Sequence, residues 1–449
     1  MEKSTVRIDF SKTVGSVKPV NGVGQPPMID QLADYPMFKY LSDAGIPYSR
    51  LHDVGGWLGG GLYVDIPNLF PDFDADENLP ENYCFAYTDS LLKALKRHDV
   101  EPFFRLGVTI ENFVYYPDRF PPKRILPPKD FAKWARICEH VILHYNEGWA
   151  NGLHLGIKYW EIWNEPENSP DEKLNPMFMA PFSEYIRFYG VAATYLKKQF
   201  PELKIGGYAS CGFYAGAASA PIGGANCSPR MEHFIICAKE FLAAVRDEKW
   251  PLDYFSFHSY SAPKEAMEQV VYADNLLNSY GFTADKCERI FNEWLPYAAH
   301  ENVGTAFQAS AIAAELIGLQ KSSCSIACIY DARCNVGSYS PLFNPMTYKP
   351  HKAYYAFTAF NELRKLGNAI DTSSNDPAIW AVAAKDSDGS NAAVMIANYS
   401  DQSIPLALDI QGYKAIDCII TDDNRTAENA PIPSEMPRYS FALVKLERQ

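Results

Sequence analysis

From residue 46 to about 331, short β-branched and aromatic runs alternate with longer stretches whose apolar positions recur every three or four residues. IPYSRLH (46–52) reads as a strand. TDSLLKALKRHDV follows with Leu91, Leu92 and Leu95 on one face, an amphipathic helix capped near Thr88 or Asp89. EPFFRLG is the next strand. KDFAKWARICEHVILHY is a long helix, with Phe131, Trp134, Cys138, Val141 and Tyr145 at helical spacing. IKYWEIW is strand-like, and SEYIRFYGVAATYLKKQF is a helix with Ser183 as its expected N-cap. LKIGGY, LDYFSFHSY, RIFNEW and CSIACIYD continue the strands. MEHFIICAKEFLAAVRD and AFQASAIAAELIGLQK are among the helices between them.

With NGVGQ (21–25), eight strands can be counted. Repeated β-then-α units bury a parallel sheet under helices, and eight of them predict an α/β fold of the (β/α)8 TIM-barrel type. A doubly wound open sheet is the alternative, but no GxGxxG follows a first strand. After residue 366 the pattern changes. AIWAVAAKD, NAAVMIANYS, IPLALDI, KAIDCIITD and SFALVKLE are short strands, and DSDGSN is a hairpin turn. The expected organisation is a barrel over 16–365 and an accessory β-sandwich over 366–449. The N-terminal strand, residues 1–15, joins that sandwich.

Composition narrows the function classes. The chain has 449 residues, 47% of them hydrophobic, enough for a large core. A net charge of −13 argues against a general binder of nucleic acid or of anionic membranes. No run reaches the roughly 18 apolar residues of a membrane span, and MEKSTVRIDF has no signal-peptide core, so a cytoplasmic location is expected. The ten cysteines include no CxxC pair. Cys324, Cys328 and Cys334 lack paired zinc-ligand spacing, and core thiols are the expectation. No metal and no cofactor is expected. A homo-oligomer is compatible with the sequence.

The candidate chemistry lies in KYWEIWNEPEN (158–168). Barrel enzymes carry their reactive groups at the C-terminal ends of strands. Glu165 stands at such an end, and Glu293 at another, in RIFNEWLPY. Each follows an Asn (Asn164, Asn292) and has aromatic neighbours. Two facing carboxylates are what glycoside hydrolysis requires, one to protonate the leaving oxygen and one to attack or to activate water. Glu161 lies within its strand and is expected to pair with an inward arginine, Arg50 or Arg105, because burial unpaired would be costly. Glu167 is expected on a loop surface or at a substrate rim.

At these residues the chain resembles a known family. WEIWNEPEN resembles the acid/base motif of the (β/α)8 retaining-glycosidase clan. Together with YSRLHD, the PPKDFAKWARICEHVILHY segment, KIGGYASCG, DYFSFHSYS and YKPHKAYYAFTAFNEL, it makes residues 40–365 resemble glycoside hydrolase family 39. That family contains β-xylosidases and α-L-iduronidases. The resemblance implies Glu165 as acid/base, Glu293 as nucleophile of a retaining double displacement, and Asn164 on the sugar 2-hydroxyl. It also implies His52, His258 and Tyr260 in the pocket, with Tyr260 near the nucleophile. Departures from a xylosidase pattern are the glycine-rich loop DVGGWLGGGLYVD, whose Trp57 could stack on a sugar, Trp294 after the nucleophile, and IYDARCN. There Asp331 could bind hydroxyls, and Arg333 could pair with Asp331 or bind a substrate carboxylate. The implied activity is a retaining exo-glycosidase acting on an oligosaccharide or glycoside, with β-D-xylosidase the leading specificity. β-Galactosidase, arabinose-releasing and uronic-acid glycosidases are the alternatives. A non-catalytic carbohydrate-binding relative is the rival from another class.

Overall fold

The computed structural model describes residues 3–28, 35–55, 63–111 and 124–449. The barrel closes from eight parallel strands in chain order: β2 (Gly22–Gly24), β3 (Tyr48–Leu51), β4 (Glu101–Leu106), β5 (Tyr159–Ile162), β6 (Lys204–Ser210), β7 (Tyr254–Ser259), β8 (Glu288–Trp294) and β9 (Cys324–Tyr330). β2 closes it by pairing with both neighbours, Gly24 with Arg50 on β3 and with Tyr330 on β9. A β-carbon at Gly22 would sit 2.8 Å from the Ala327 carbonyl oxygen, so the seam requires a glycine. These are the eight strands read from the sequence. The open-sheet alternative falls, because an open sheet has two unpaired edges.

The barrel interior is layered, since residues two apart on a strand face the same side. Phe103, Tyr159, Tyr254, Ile290, Ile326 and Cys328 form a closed apolar plug at the N-terminal end. Two residues further along β5, β7 and β8 come Glu161, Ser256 and Asn292, a buried polar layer that also includes Arg50. One further step on β7 brings His258 to the mouth. Glu293 breaks the alternation. The β7–β8 register shifts between Phe257 and His258 so that His258 pairs with Glu293, and β8–β9 shifts between Phe291 and Trp294. Such an irregularity re-aims a side chain. It lets the successive residues Asn292 and Glu293 both serve the interior.

The accessory domain is one curled sheet of nine strands. It contains β1 (Ser4–Ser16), β10 (Asn368–Ser374), β11 (Ile379–Lys385), β12 (Asn391–Asn398), β13 (Ile404–Asp409), β14 (Tyr413–Thr421), β15 (Glu428–Asn429), β16 (Glu435–Met436) and β17 (Ser440–Arg448). β1 lies antiparallel to β10 and parallel to β13, joining the chain's start to its end. The sheet folds over its own core: Phe10 on β1 stacks on Tyr413 of β14 at 3.8 Å, although four strands lie between them in the sheet. β11, β12 and β17 are buried on both faces. Ala381, Ala383, Val394, Ile396, Ala442 and Val444 enter the inner core. Val382, Ala384, Ala393, Met395, Phe441 and Leu443 join the barrel's core instead. That is why these strands read as continuous apolar runs rather than alternating ones.

Two helix starts differ from expectation. The long helix between β3 and β4 is Ala86–Arg97, and Thr88 lies inside it with Oγ1 accepting the Val64 N–H at 3.0 Å, so it is not free to cap. The helix after β5 is Phe182–Gln199, with Pro181 at the N-cap position and Ser183 in the first turn. All ten cysteines are free thiols, most of them buried. Among the described residues no helix is long and apolar enough to cross a membrane.

Candidate active site

The polar layer is organised by Arg50, a buried guanidinium on β3. Its Nε donates to Glu161 Oε2 at 2.8 Å, its Nη1 to Glu293 Oε2 at 2.9 Å and its Nη2 to Asn164 Oδ1 at 2.5 Å. Burial opposes its charge, but Glu161 and Glu293 outweigh that and hold Arg50 protonated. Glu161 is fully buried and fully satisfied: Ser256 Oγ donates to Oε1 at 2.7 Å and Asn292 Nδ2 at 2.6 Å. Of the two expected arginine partners, Arg50 is the one. Arg105 donates to Asp65 at 2.6 Å.

The β5 end positions Glu165 by a backbone twist. Trp163 (φ 72°) and Glu165 (φ 43°) both adopt left-handed conformations, uncommon outside glycine. The Glu165 N–H donates to the Ala209 carbonyl at 3.0 Å. Trp163 thereby turns outward against Phe178 and Phe188, and Glu165 turns to the mouth. Its Oε1 lies 2.7 Å from His258 Nδ1, and Asn168 Nδ2 donates to its Oε2 at 2.6 Å. Glu293 accepts from the Tyr260 hydroxyl on Oε1. His258 Nε2 stands 3.7 Å from Glu293 Oε2, so the imidazole sits between the two acids.

One oxygen of each carboxylate and one imidazole nitrogen of His258 lie within 4.8 Å of one another. The spacing alone would suit a cation. The Arg50 guanidinium bonded to Glu293 makes it a poor place for one, since like charges repel.

Burial pushes both carboxyls above the ordinary value of 4.5. Glu165 is pulled partly back by Asn168 and then Arg230. Glu293 is pulled back by His258 and Arg50 and raised by Glu165. The two titrate as a pair. Glu293 is bonded to the Arg50 guanidinium, which favours its anion, while Glu165 bonds His258 and the Asn168 amide. Burial lowers His258 to about 4, so it is neutral above that.

These groups line a cavity of about 690 Å³ at the C-terminal mouth of the barrel. Of the residues singled out from the sequence, His52, Asn164, Glu165, Tyr260, Glu293 and Arg333 are on its wall, and His258 lies buried between the two acids. Trp57 lies outside the described residues. Trp294 is not on the wall: it follows Glu293, points outward and stacks parallel to Phe357 at 6.5 Å. Asp331 is beneath the wall, fully buried. It accepts from the Arg333 N–H at 2.9 Å, from Arg333 Nε at 2.7 Å and from Ser340 Oγ at 3.0 Å, leaving it no role as a hydroxyl ligand. Glu167 is buried rather than on a loop surface or rim, accepting from Ser210 Oγ at 2.9 Å and the Cys211 N–H at 2.8 Å, and burial raises it to about 8.

Sequence reasoning missed Asp53, Asn168, Cys211, Tyr214, Arg230, Tyr330 and Tyr339, all on the wall. Asp53 (φ 55°) directly follows His52, accepts from the Tyr330 hydroxyl at 2.9 Å and is raised by burial to about 6. Its place next to a strand-end histidine was a usable signal. Arg230 had none, because it reaches the mouth from a helix start.

The sequence signature described as "Glycosyl hydrolases family 39" matches residues 6–307. The chain belongs to glycosyl hydrolase family 39. Within this family-39 chain, 212 residues are 26% identical to a β-xylosidase of Geobacillus stearothermophilus, 45% of this chain and 36% of that relative. The chain thus spans only about a third of that relative's length. By structure the chain is similar to a glucosidase of Croceicoccus marinus (TM-score 0.76, 19% identity, all of both chains). It is similar too to a monomeric β-xylosidase of Caulobacter crescentus (TM-score 0.69, 14% identity, 99% of both).

Proposed function

We propose that this family-39 chain is a retaining exo-glycosidase, with Glu165 as acid/base and Glu293 as nucleophile. The observation that carries the reading is the approach of the two carboxylates, with an oxygen of each within 4.8 Å. Retaining carboxyl groups stand about 5–5.5 Å apart and inverting ones, which leave room for a water, roughly 6.5–9.5 Å, so this nearest-oxygen approach supports the retaining arrangement. The protonation states fit as well. The acid that keeps its proton, Glu165, gives it to the leaving glycosidic oxygen. Glu293, ionised beside Arg50, attacks the anomeric carbon, and the bond from that carbon to the leaving oxygen breaks. In the second half, Glu165, now ionised, takes a proton from water. The water oxygen bonds the anomeric carbon and the electron pair of the ester bond returns to Glu293. Asn164, its Oδ1 held by Arg50, is suited to direct its amide N–H at a sugar hydroxyl.

A cavity of about 690 Å³ at the barrel mouth suits the end of a glycan. β-D-Xylose is the leading glycone, on the likeness to the Geobacillus enzyme. Arg333 on the wall raises a uronic acid as the second reading. Its charge is already matched by Asp331, with Nη2 2.7 Å from Oδ2, which favours a neutral sugar. The test is a panel of aryl glycosides (xyloside, glucoside, galactoside, arabinoside, glucuronide) with NMR of the first-formed sugar. Turnover with the substrate's own anomeric configuration is expected, fastest on the xyloside. Early appearance of the opposite anomer refutes the double displacement.

A further inference from the structure

Glu165 has a second neighbour on the oxygen that His258 does not bond. Asn168 Nδ2 donates to Glu165 Oε2 at 2.6 Å. Asn168 is in turn gripped twice by Arg230, whose Nη2 donates to Oδ1 at 3.0 Å and whose Nε donates to the backbone carbonyl at 2.8 Å. An amide turned one way offers donors and turned the other way an acceptor. With Arg230 on its oxygen, Asn168 has only its NH2 to give to Glu165. Arg230 sits in the first turn of the helix Pro229–Asp247, whose start is capped by Ser228 Oγ, and its guanidinium lies 4.7 Å over the Phe234 ring. It is therefore braced although its helix turn is exposed.

We propose that Arg230 and Asn168 form a positioning arm that fixes the Glu165 carboxyl and supports its ionised form in the second half-reaction. The inference rests on the acid/base role of Glu165 proposed above. Around Glu165 stand Arg50 and Glu293 from the barrel, His258 and Tyr260 from β7 and its loop, and Glu167, Cys211, Tyr214 and Tyr339 from the other loops. Arg50 is committed to Glu161, Glu293 and Asn164. His258 is neutral, and burial keeps the Cys211 thiol and the Tyr214 and Tyr260 hydroxyls protonated. Glu293 and Glu167 bring acid, not positive charge. Among the described residues Arg230 is thus the cation serving Glu165 alone. Asn168 and Arg230 are also the leading influences that bring this carboxyl down against burial. Glu165 must be ionised before it can take water's proton, and an arm holding its anion keeps that form populated.

The test uses Arg230→Gln, Arg230→Lys and Asn168→Ala in the full chain, each first checked for wild-type thermal unfolding. Removing the charge or the amide makes Glu165 harder to ionise, so the basic limb of kcat/KM moves up by about 0.5–1 pH unit. For an aryl glycoside with a good leaving group, where deglycosylation limits, kcat and KM fall together several-fold as the glycosyl-enzyme accumulates. Arg230→Lys keeps a charge without the two-pronged grip and falls between. A basic limb at its wild-type position in both Arg230→Gln and Asn168→Ala overturns the arm. Glu165→Ala with added azide separates the two readings. No rescue removes the acid/base assignment itself, whereas rescue together with unmoved limbs removes the arm alone.

Discussion

Replacing Arg50 by Met tests the organisation of the barrel's polar layer. Arg50 is the cation bonded to both Glu161 and Glu293, which are 0% and 5% exposed. Removing one partner of a buried ion pair costs about 3–5 kcal/mol, because the other charge is left without compensation. A Coulomb estimate agrees: about 4 kcal/mol for unit charges ~4 Å apart at an effective dielectric of about 20. Ser256 and Asn292 still bond Glu161, which places the expectation toward the lower end. Glu293 supplies a pH signature. Burial already raises it, and loss of Arg50 raises it further. A raised carboxyl contributes stability that is present at low pH and is lost as pH rises through the folded-state value. The variant is therefore least deficient in acid and most deficient in alkali, and the acidic limb of its kcat/KM profile moves to higher pH. Urea midpoints across pH, together with that profile, read both effects. An Arg50→Met protein with wild-type midpoints and an unmoved acidic limb refutes the reasoning. Arg50→Lys should recover only part of the loss, since one ammonium cannot hold three acceptors in a fixed fork.

Two further outcomes test buried acids away from that layer. Glu315, fully buried in the helix Ala306–Lys321, has no hydrogen-bond partner for either oxygen among the described residues, and burial raises it well above the ordinary range. Glu315→Met should stabilise the protein by about 1–3 kcal/mol at neutral pH, more as pH rises, because an unpaired polar group leaves the core; a lower urea midpoint would sink this account. Glu167, raised from 4.5 to about 8 by burial, makes a contribution that is complete below 4.5 and is lost as pH climbs to about 8. Glu167→Gln should flatten the fall in unfolding midpoint between those values, and an equally steep fall in the variant would show that another group titrates.

The alternation of strand and helix patterns, the strand ends at Glu165 and Glu293, and the change of pattern past residue 366 were determined by the sequence alone. Secondary-structure period and turn chemistry are local properties, and they survive whatever the chain later packs against. Residues whose role depends on a neighbour far along the chain were decided only by the tertiary structure. Trp294 and Glu293 are adjacent in sequence, yet a register shift against β7 sends one to the cavity and the other to Phe357. Asn164 and Asn292 look equivalent before their glutamates, but Asn164 reaches the cavity wall and Asn292 is spent on Glu161 below it. Asp331 and Glu167 were read as open to substrate or solvent, and both are buried under their own partners. Arg230 enters the site from a helix start 62 residues beyond Asn168. A side chain's partner there is set by barrel closure and strand register, which bring together residues from different β/α units, and no local pattern encodes that meeting.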